Sequence, residues 1–189
     1  MTTDTPPAAR PSIQPFTYVD APELLESGVM EFKEIPEASI VNATDDSMGV
    51  GLFSKVLFRD VPPEGSDRTD GLSLVHAWLA PHFELPPHSH DGDCLYYIAS
   101  GTLILGKRTL GAGDGFFVPK DSPYRYTAGP EGVEVVEFRT SIKFDYKFAD
   151  SNDARWKDRY AYATSHRDEW VSARDEFLKD KTSETDVTA

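Results

Sequence analysis

The stretch Pro86-Pro87-His88-Ser89-His90-Asp91-Gly92-Asp93-Cys94-Leu95-Tyr96-Tyr97-Ile98-Ala99-Ser100-Gly101 decides the reading of this chain. A proline pair opens it, and Asp91-Gly92-Asp93 and Ser100-Gly101 are turn signals. Side chains alternate along an extended backbone, so His88 and His90 point to the same side and can present two imidazoles to one centre. The ordinary alternative for such a pair is an exposed polar strand edge.

Working outward, the same texture continues on both sides. Residues 50–59, 72–79, 94–98, 102–105, 115–118, 124–127 and 133–139 read as short strands, separated by turn signals at 62–67, 86–87, 91–93, 106–107, 111–114 and 128–132. Short strands at regular spacing, divided by Gly and Pro, predict an all-β sandwich or barrel. The flanks differ in character. Residues 1–15 are rich in Thr, Pro and Ala and are expected to form a disordered arm. Asp20-Ala21-Pro22-Glu23 has the form of a capping box with an early proline, which predicts a short helix through Leu24 and Leu25. Ser165 with Asp168 predicts the start of a C-terminal helix, with Trp170, Val171, Ala173 and Phe177 as its apolar stripe. The expected organisation is therefore a β-barrel over 16–148 with its motif core at 72–139, a helical extension over 149–180 and a disordered tail over 181–189.

Bulk composition narrows the partners. The chain has 189 residues, 19 basic against 32 acidic, for a net charge of −13. So acidic a surface repels phosphate backbones and anionic lipid, so neither nucleic acid nor a membrane is an expected partner. No run approaches the roughly 20 apolar residues needed to span a bilayer. The opening residues carry no apolar core segment and no cleavage pattern, so no signal peptide is expected. Cys94 is the single cysteine and cannot form an intrachain disulfide. Together these features predict a cytoplasmic protein.

The central motif resembles that of the cupins. Their first motif runs Gly, five residues, His-x-His, three or four residues, Glu, six residues, Gly; here His88, His90 and Gly101 fall in register. Their second runs Gly, five residues, Pro-x-Gly, two residues, His, three residues, Asn; here Gly113 and Pro119 match, with the common Gly113-Asp114 opening. Several positions depart from the pattern. His82 stands at the first glycine, Cys94 at the glutamate and Tyr124 at the second-motif histidine.

The resemblance implies an all-β cupin jelly-roll barrel (a double-stranded β-helix) with short N-terminal and C-terminal helices. It also implies a small-molecule enzyme with a divalent transition metal (Fe, Ni, Zn or Cu) held by His88 and His90. Dioxygenase-type oxidoreductases are the commonest such chemistry among the proteins it resembles, with lyases and isomerases also represented. A metal-free ligand-binding or sensory cupin is the alternative, because fold does not choose function. Homodimers are common in this group, and one is expected here. Cysteine dioxygenases also carry Cys at the glutamate position, but they keep the histidine that Tyr124 replaces, so thiol dioxygenation is not carried over.

Candidates to complete a metal site are Cys94, Glu137 and His76. A thiolate suits Zn or Cu(I), and a carboxylate beside two histidines suits non-haem Fe(II). Each has an ordinary reading: Cys94 as a buried hydrophobe, Glu137 paired with Arg139 two residues on, and His76 as a core histidine beside Trp78. Tyr124 and Tyr126 share a strand face and are expected as pocket walls or proton donors, hence candidate catalytic residues. Trp78, Tyr96 and Arg139 are the expected remainder of a substrate pocket that takes a small molecule.

Overall fold

The computed structural model describes residues 13–41, 43, 46–62 and 65–183. Nine strands and three helices follow in the order β1 (Met30–Lys33), α1 (Glu37–Val41), α2 (Ser47–Val50), β2 (Leu52–Arg59), β3 (Asp70–Leu79), β4 (His88–Ser89), β5 (Cys94–Leu105), β6 (Arg108–Gly111), β7 (Gly115–Val118), β8 (Thr127–Ser141), β9 (Phe144–Phe148) and α3 (Asp153–Ser183). Strands β2-β3-β8-β5-β6 form an antiparallel sheet, with β7 also paired to β5. A second sheet runs β1-β9-β4, with β1 parallel to β9. The all-β class expected from the sequence is the one observed.

The period of two is clearest at the start of β5, where Cys94, Tyr96 and Ile98 are buried and Leu95, Tyr97 and Ala99 are exposed. Its partner β8 buries Val133, Val135 and Arg139 on the matching face. These inward side chains, with Leu79, Phe83, Leu85, Leu103, Val118 and Tyr126, make the main core. Burying side chains of this size contributes about 1.5–3 kcal/mol each before the entropy of ordering is counted.

Two expected turns are absorbed into long strands. Residues 94–98 and 102–105 are one strand, and residues 128–132 lie inside β8. Register shifts mark bulges on β5 near Ser100 and near Gly101. Gly101 and Gly132 both take positive φ, 72° and 77°. A Cβ on Gly132 would sit 2.7 Å from the Leu79 carbonyl oxygen, and one on Gly101 would collide with the Gly132 carbonyl. The glycines therefore permit bulges without ending the ladder. The strand expected at 124–127 is instead a bridge between Tyr124 and His88, and β8 begins only at Thr127.

The helices are also relocated. Residues 20–27 form a bridge and turns rather than a helix, because Glu23 pairs with Lys55 and the Leu24 N–H donates to the Ser54 carbonyl. Sheet-edge hydrogen bonding takes the Leu24 N–H and the Pro22 carbonyl, and the Asp20 N–H and carboxylate bond the Thr17 hydroxyl instead of closing a capping box. The short helices fall at α1 and α2 instead. The C-terminal helix begins at Asp153, twelve residues before Ser165, and its Asn152 side chain accepts the Arg155 N–H. Its inner side is a row at every seventh residue: Trp156, Ala163, Trp170 and Phe177. Trp170 Nε1 donates to the Pro81 carbonyl at 2.9 Å and packs on Phe83. Residues 181–183 close this helix, whereas 1–12 of the expected arm and 184–189 of the expected tail lie outside the described residues. No described helix is long and apolar enough to cross a membrane.

Candidate functional site

His88 sits in β4, which pairs with the end of β9, and its backbone also exchanges two hydrogen bonds with Tyr124. His90 follows on the same extended chain, and the two ring centroids are 4.9 Å apart, as the His-x-His spacing requires. A reciprocal pair fixes this loop: Asp91 N–H donates to Asp145 Oδ1 at 2.7 Å, and Asp145 N–H donates to Asp91 Oδ1 at 3.0 Å. His88 Nδ1 donates to the Pro86 carbonyl at 2.8 Å, and His90 Nδ1 donates to the Asp145 carbonyl. With hydrogens on both Nδ1 atoms, both Nε2 atoms carry lone pairs, the tautomer being assigned from the partners.

Those lone pairs converge on one hydroxyl. Tyr124 Oη lies 2.8 Å from His88 Nε2 and 3.2 Å from His90 Nε2. The Tyr96 hydroxyl is hydrogen-bonded to it as well. A phenol has one hydrogen, so Tyr124 donates to the nearer His88 and accepts from Tyr96. Arg139 Nη2 then stands 3.4 Å from both His90 Nε2 and Tyr96 Oη, and 2.7 Å from Glu137 Oε2. The guanidinium also lies over the Phe144 ring at 3.9 Å. His88 is stacked on Tyr146 at 4.1 Å.

Burial sets the protonation states. Desolvation, then the Arg139 cation, holds His90 down to about 2. Desolvation holds His88 down to about 4, with Arg139 adding to the effect against its hydrogen bond to Pro86. Both imidazoles are therefore neutral near pH 7. Burial pushes the Tyr96, Tyr124 and Tyr126 hydroxyls well above the ordinary phenol value, so they remain protonated. Burial alone would weaken the Arg139 charge, but Glu137 and the surrounding acceptors outweigh it and hold the guanidinium protonated.

Next to this cluster a partly open cavity of about 380 Å³ lies between the two sheets. Its polar end carries His88, His90, Glu137 and Arg139, and its walls include Phe53, Leu85, Tyr126, Phe144, Tyr146 and Trp156. Tyr96 and Tyr124 stand behind the histidines rather than on the cavity wall.

No family model and no curated protein matches the sequence. Among solved structures, the fold is similar to that of the polyketide cyclase RemF from Streptomyces resistomycificus. The two are 16% identical, the match covers 86% of this chain and 98% of that one, and the TM-score is 0.50. The chain has the cupin fold. Shorter matches include an RmlC-like cupin from Shewanella frigidimarina, 23% identical over 50% of this chain and 78% of that one with a TM-score of 0.41. Another is KdgF from a Halomonas species, 22% identical over 48% and 79% with a TM-score of 0.39.

Two positions of this chain that stand where the cupin motifs have glycine take a left-handed backbone. His82 and Asp121, where the cupin motifs have glycine, hold φ of 59° and 58°. The remaining expected site residues separate. His76 and Trp78 face away from the cavity: His76 Nε2 is bonded to Glu134 Oε2 at 2.8 Å, and both rings stack on Phe177 of α3. In β3 it is Val75 and Ala77 that line the cavity, so the alternation places His76 and Trp78 under the helix. Glu137 does share a face with Arg139, and its contact there is the ion pair. Cys94 is buried, and burial pushes its thiol up to about 12, which leaves it a protonated core group rather than a thiolate.

A divalent ion does not fit this arrangement. The point where the two Nε2 lone pairs meet is taken by a neutral phenol, and a guanidinium stands 3.4 Å from one of them. Among the described residues, no three His, Cys, Asp or Glu side chains converge on a common centre. Asp145, Phe144 and Tyr146 of β9 are site residues that the sequence reading did not identify. The alternation Phe144, Tyr146, Phe148 was the available signal.

Proposed function

We propose that this cupin binds a small organic molecule, planar and largely aromatic, in a metal-free cavity. The observation that carries this reading is the Tyr124 hydroxyl seated between the His88 and His90 Nε2 atoms, with Arg139 beside them. It gives both histidines a hydrogen-bonding role and puts a fixed positive charge beside the point where a cation would have to sit. The cavity supports the ligand class: about 380 Å³ lies within the range of small-molecule sites, and flat aromatic walls favour a flat apolar ligand. The cyclase named on the RemF structure acts on polyketides, which is compatible with that class.

Elemental analysis tests the metal-free part. Protein purified without chelator or affinity tag, run beside a His88→Ala/His90→Ala variant, is expected to carry far less than one metal per chain in both. One equivalent of Fe, Ni, Zn or Cu that disappears in the variant would overturn the proposal and restore the dioxygenase-type metalloenzyme. A homodimer and cytoplasmic residence belong to the same proposal. Light scattering coupled to size exclusion checks the first, and cell fractionation the second.

A further inference from the structure

The ligand's polar end can be read from one side chain. Arg139 is 1% exposed and comes from near the C-terminal end of β8, where the pleat turns it inward toward the cavity. Its Nη2 hydrogens are accounted for, one on Glu137 and the other shared by His90 and Tyr96. Its Nε and Nη1 atoms are buried and have no acceptor. Three N–H hydrogens of a buried cation are therefore unsatisfied, one on Nε and two on Nη1. A buried charged donor without a partner is costly, and folded proteins keep such groups where something else supplies the acceptor.

Two features make a bound molecule the fitting acceptor. The first is location, because Arg139 lies on the wall of an apolar cavity with room for a small ligand. The second is that Glu137 bonds only Nη2, so the one carboxylate that reaches Arg139 among the described residues leaves the other two nitrogens open. Phe144 covers the face of the guanidinium and leaves its in-plane hydrogens to be taken from the side.

We propose that Arg139 is the specificity residue of the cavity and that the ligand carries a carboxylate which accepts hydrogen bonds from its Nε and Nη1 atoms. This rests on the organic-ligand reading above and adds a charge requirement to it. Arginine matches carboxylate in both charge and geometry, and such bonds strengthen away from water. A neutral ligand of the same shape would fill the apolar walls and still leave part of the donor set unpaired.

Isothermal titration with matched pairs tests this: benzoate against benzamide, 2-naphthoate against 2-naphthamide, and 2-anthroate against its amide. At least one acid is expected to bind ten-fold or more tightly than its amide. The preference should vanish in Arg139→Met/Glu137→Gln, a double change that leaves no buried charge unpaired, and should persist in part in Arg139→Lys. Circular dichroism confirms that each variant is folded; if the double variant is not, Arg139→Lys with Arg139→Gln serves the comparison. Equal binding of acid and amide to the wild type would overturn the carboxylate inference and leave the organic-ligand cavity standing. No binding by any of the six compounds would overturn both.

Discussion

Tyr124 meets His88 at three points: its N–H donates to the His88 carbonyl at 2.9 Å, its carbonyl accepts the His88 N–H at 3.0 Å, and its hydroxyl donates to His88 Nε2 at 2.8 Å. The residue that replaces the second-motif histidine is thus bound to the first-motif histidine by both backbone and side chain. Substitution at one motif position is compensated within the other motif. The same hydroxyl links the histidines to Tyr96 and, through it, to Arg139, so the polar end of the cavity is one connected network.

Removing that hydroxyl should be felt. Tyr124→Phe leaves the His88 lone pair buried without a donor, which costs about 1–3 kcal/mol. Urea unfolding of the variant and wild type at pH 7 measures the difference. Equal stabilities would show that the hydroxyl does not satisfy the imidazoles.

Stability should fall as pH is lowered from 7 to 5. His88 and His90 are held near 4 and 2 in the folded state, below the ordinary value of about 6.5. The unfolded chain therefore takes up protons in this window while the folded chain does not. Their stabilising contribution is complete above about pH 6.5 and is lost progressively as pH falls toward the folded values, by about 2 kcal/mol per histidine at pH 5. Denaturant midpoints taken at intervals of half a pH unit follow the loss. A flat profile would mean that the imidazoles are not buried neutral.

Restoring the first motif glycine should stabilise the protein. His82 holds a left-handed conformation at φ 59°, which costs an L-residue roughly 1–2 kcal/mol. His82→Gly is expected to raise the melting temperature, although added freedom in the unfolded chain offsets part of the gain. Asp121→Gly should gain less, because aspartate tolerates this region and its carboxylate meets Lys147 Nζ at 2.8 Å. Differential scanning calorimetry of both variants checks the order; a lower melting point for His82→Gly would refute it.

The helix α3 should depend on one contact point. A Cβ on Gly51 would lie 2.8 Å from Trp170 Cε3 and closer still to the Phe83 ring, so Gly51→Ala must displace one of two buried aromatics. Overpacking of this kind costs about 1–3 kcal/mol. Trp170→Ala should cost about 3–5 kcal/mol through the cavity it leaves. Thermal unfolding monitored by Trp fluorescence and far-ultraviolet dichroism reads both. A Gly51→Ala protein as stable as wild type would show that the interface is loose.

How much of this was legible beforehand depends on the range of the interaction. The His-x-His pair and the Glu137–Arg139 pair follow from alternation over two residues, and the structure has both. The fate of residues 20–27 and the position of Tyr124 did not follow, because both are fixed by partners far along the chain, Lys55 and His88. His76 illustrates the same limit. Its strand face was correctly grouped with Trp78, yet only the docking of Phe177, about a hundred residues on, decides that this face lies under a helix and not in the cup.

The sequence alone determined the β class, the shared side of His88 and His90, the departures from the cupin motifs at His82, Cys94 and Tyr124, and the acidic surface. These depend on residue type and on a backbone period of two, which are local properties. Tertiary structure decided what the site is made of. It set the Tyr124 hydroxyl between two imidazoles, brought Phe144 and Tyr146 of β9 against the histidines and Arg139, and left two nitrogens of a buried guanidinium without an acceptor beside a cavity. Hydrogen-bond partners and desolvation depend on where distant segments pack, and no local pattern encodes that.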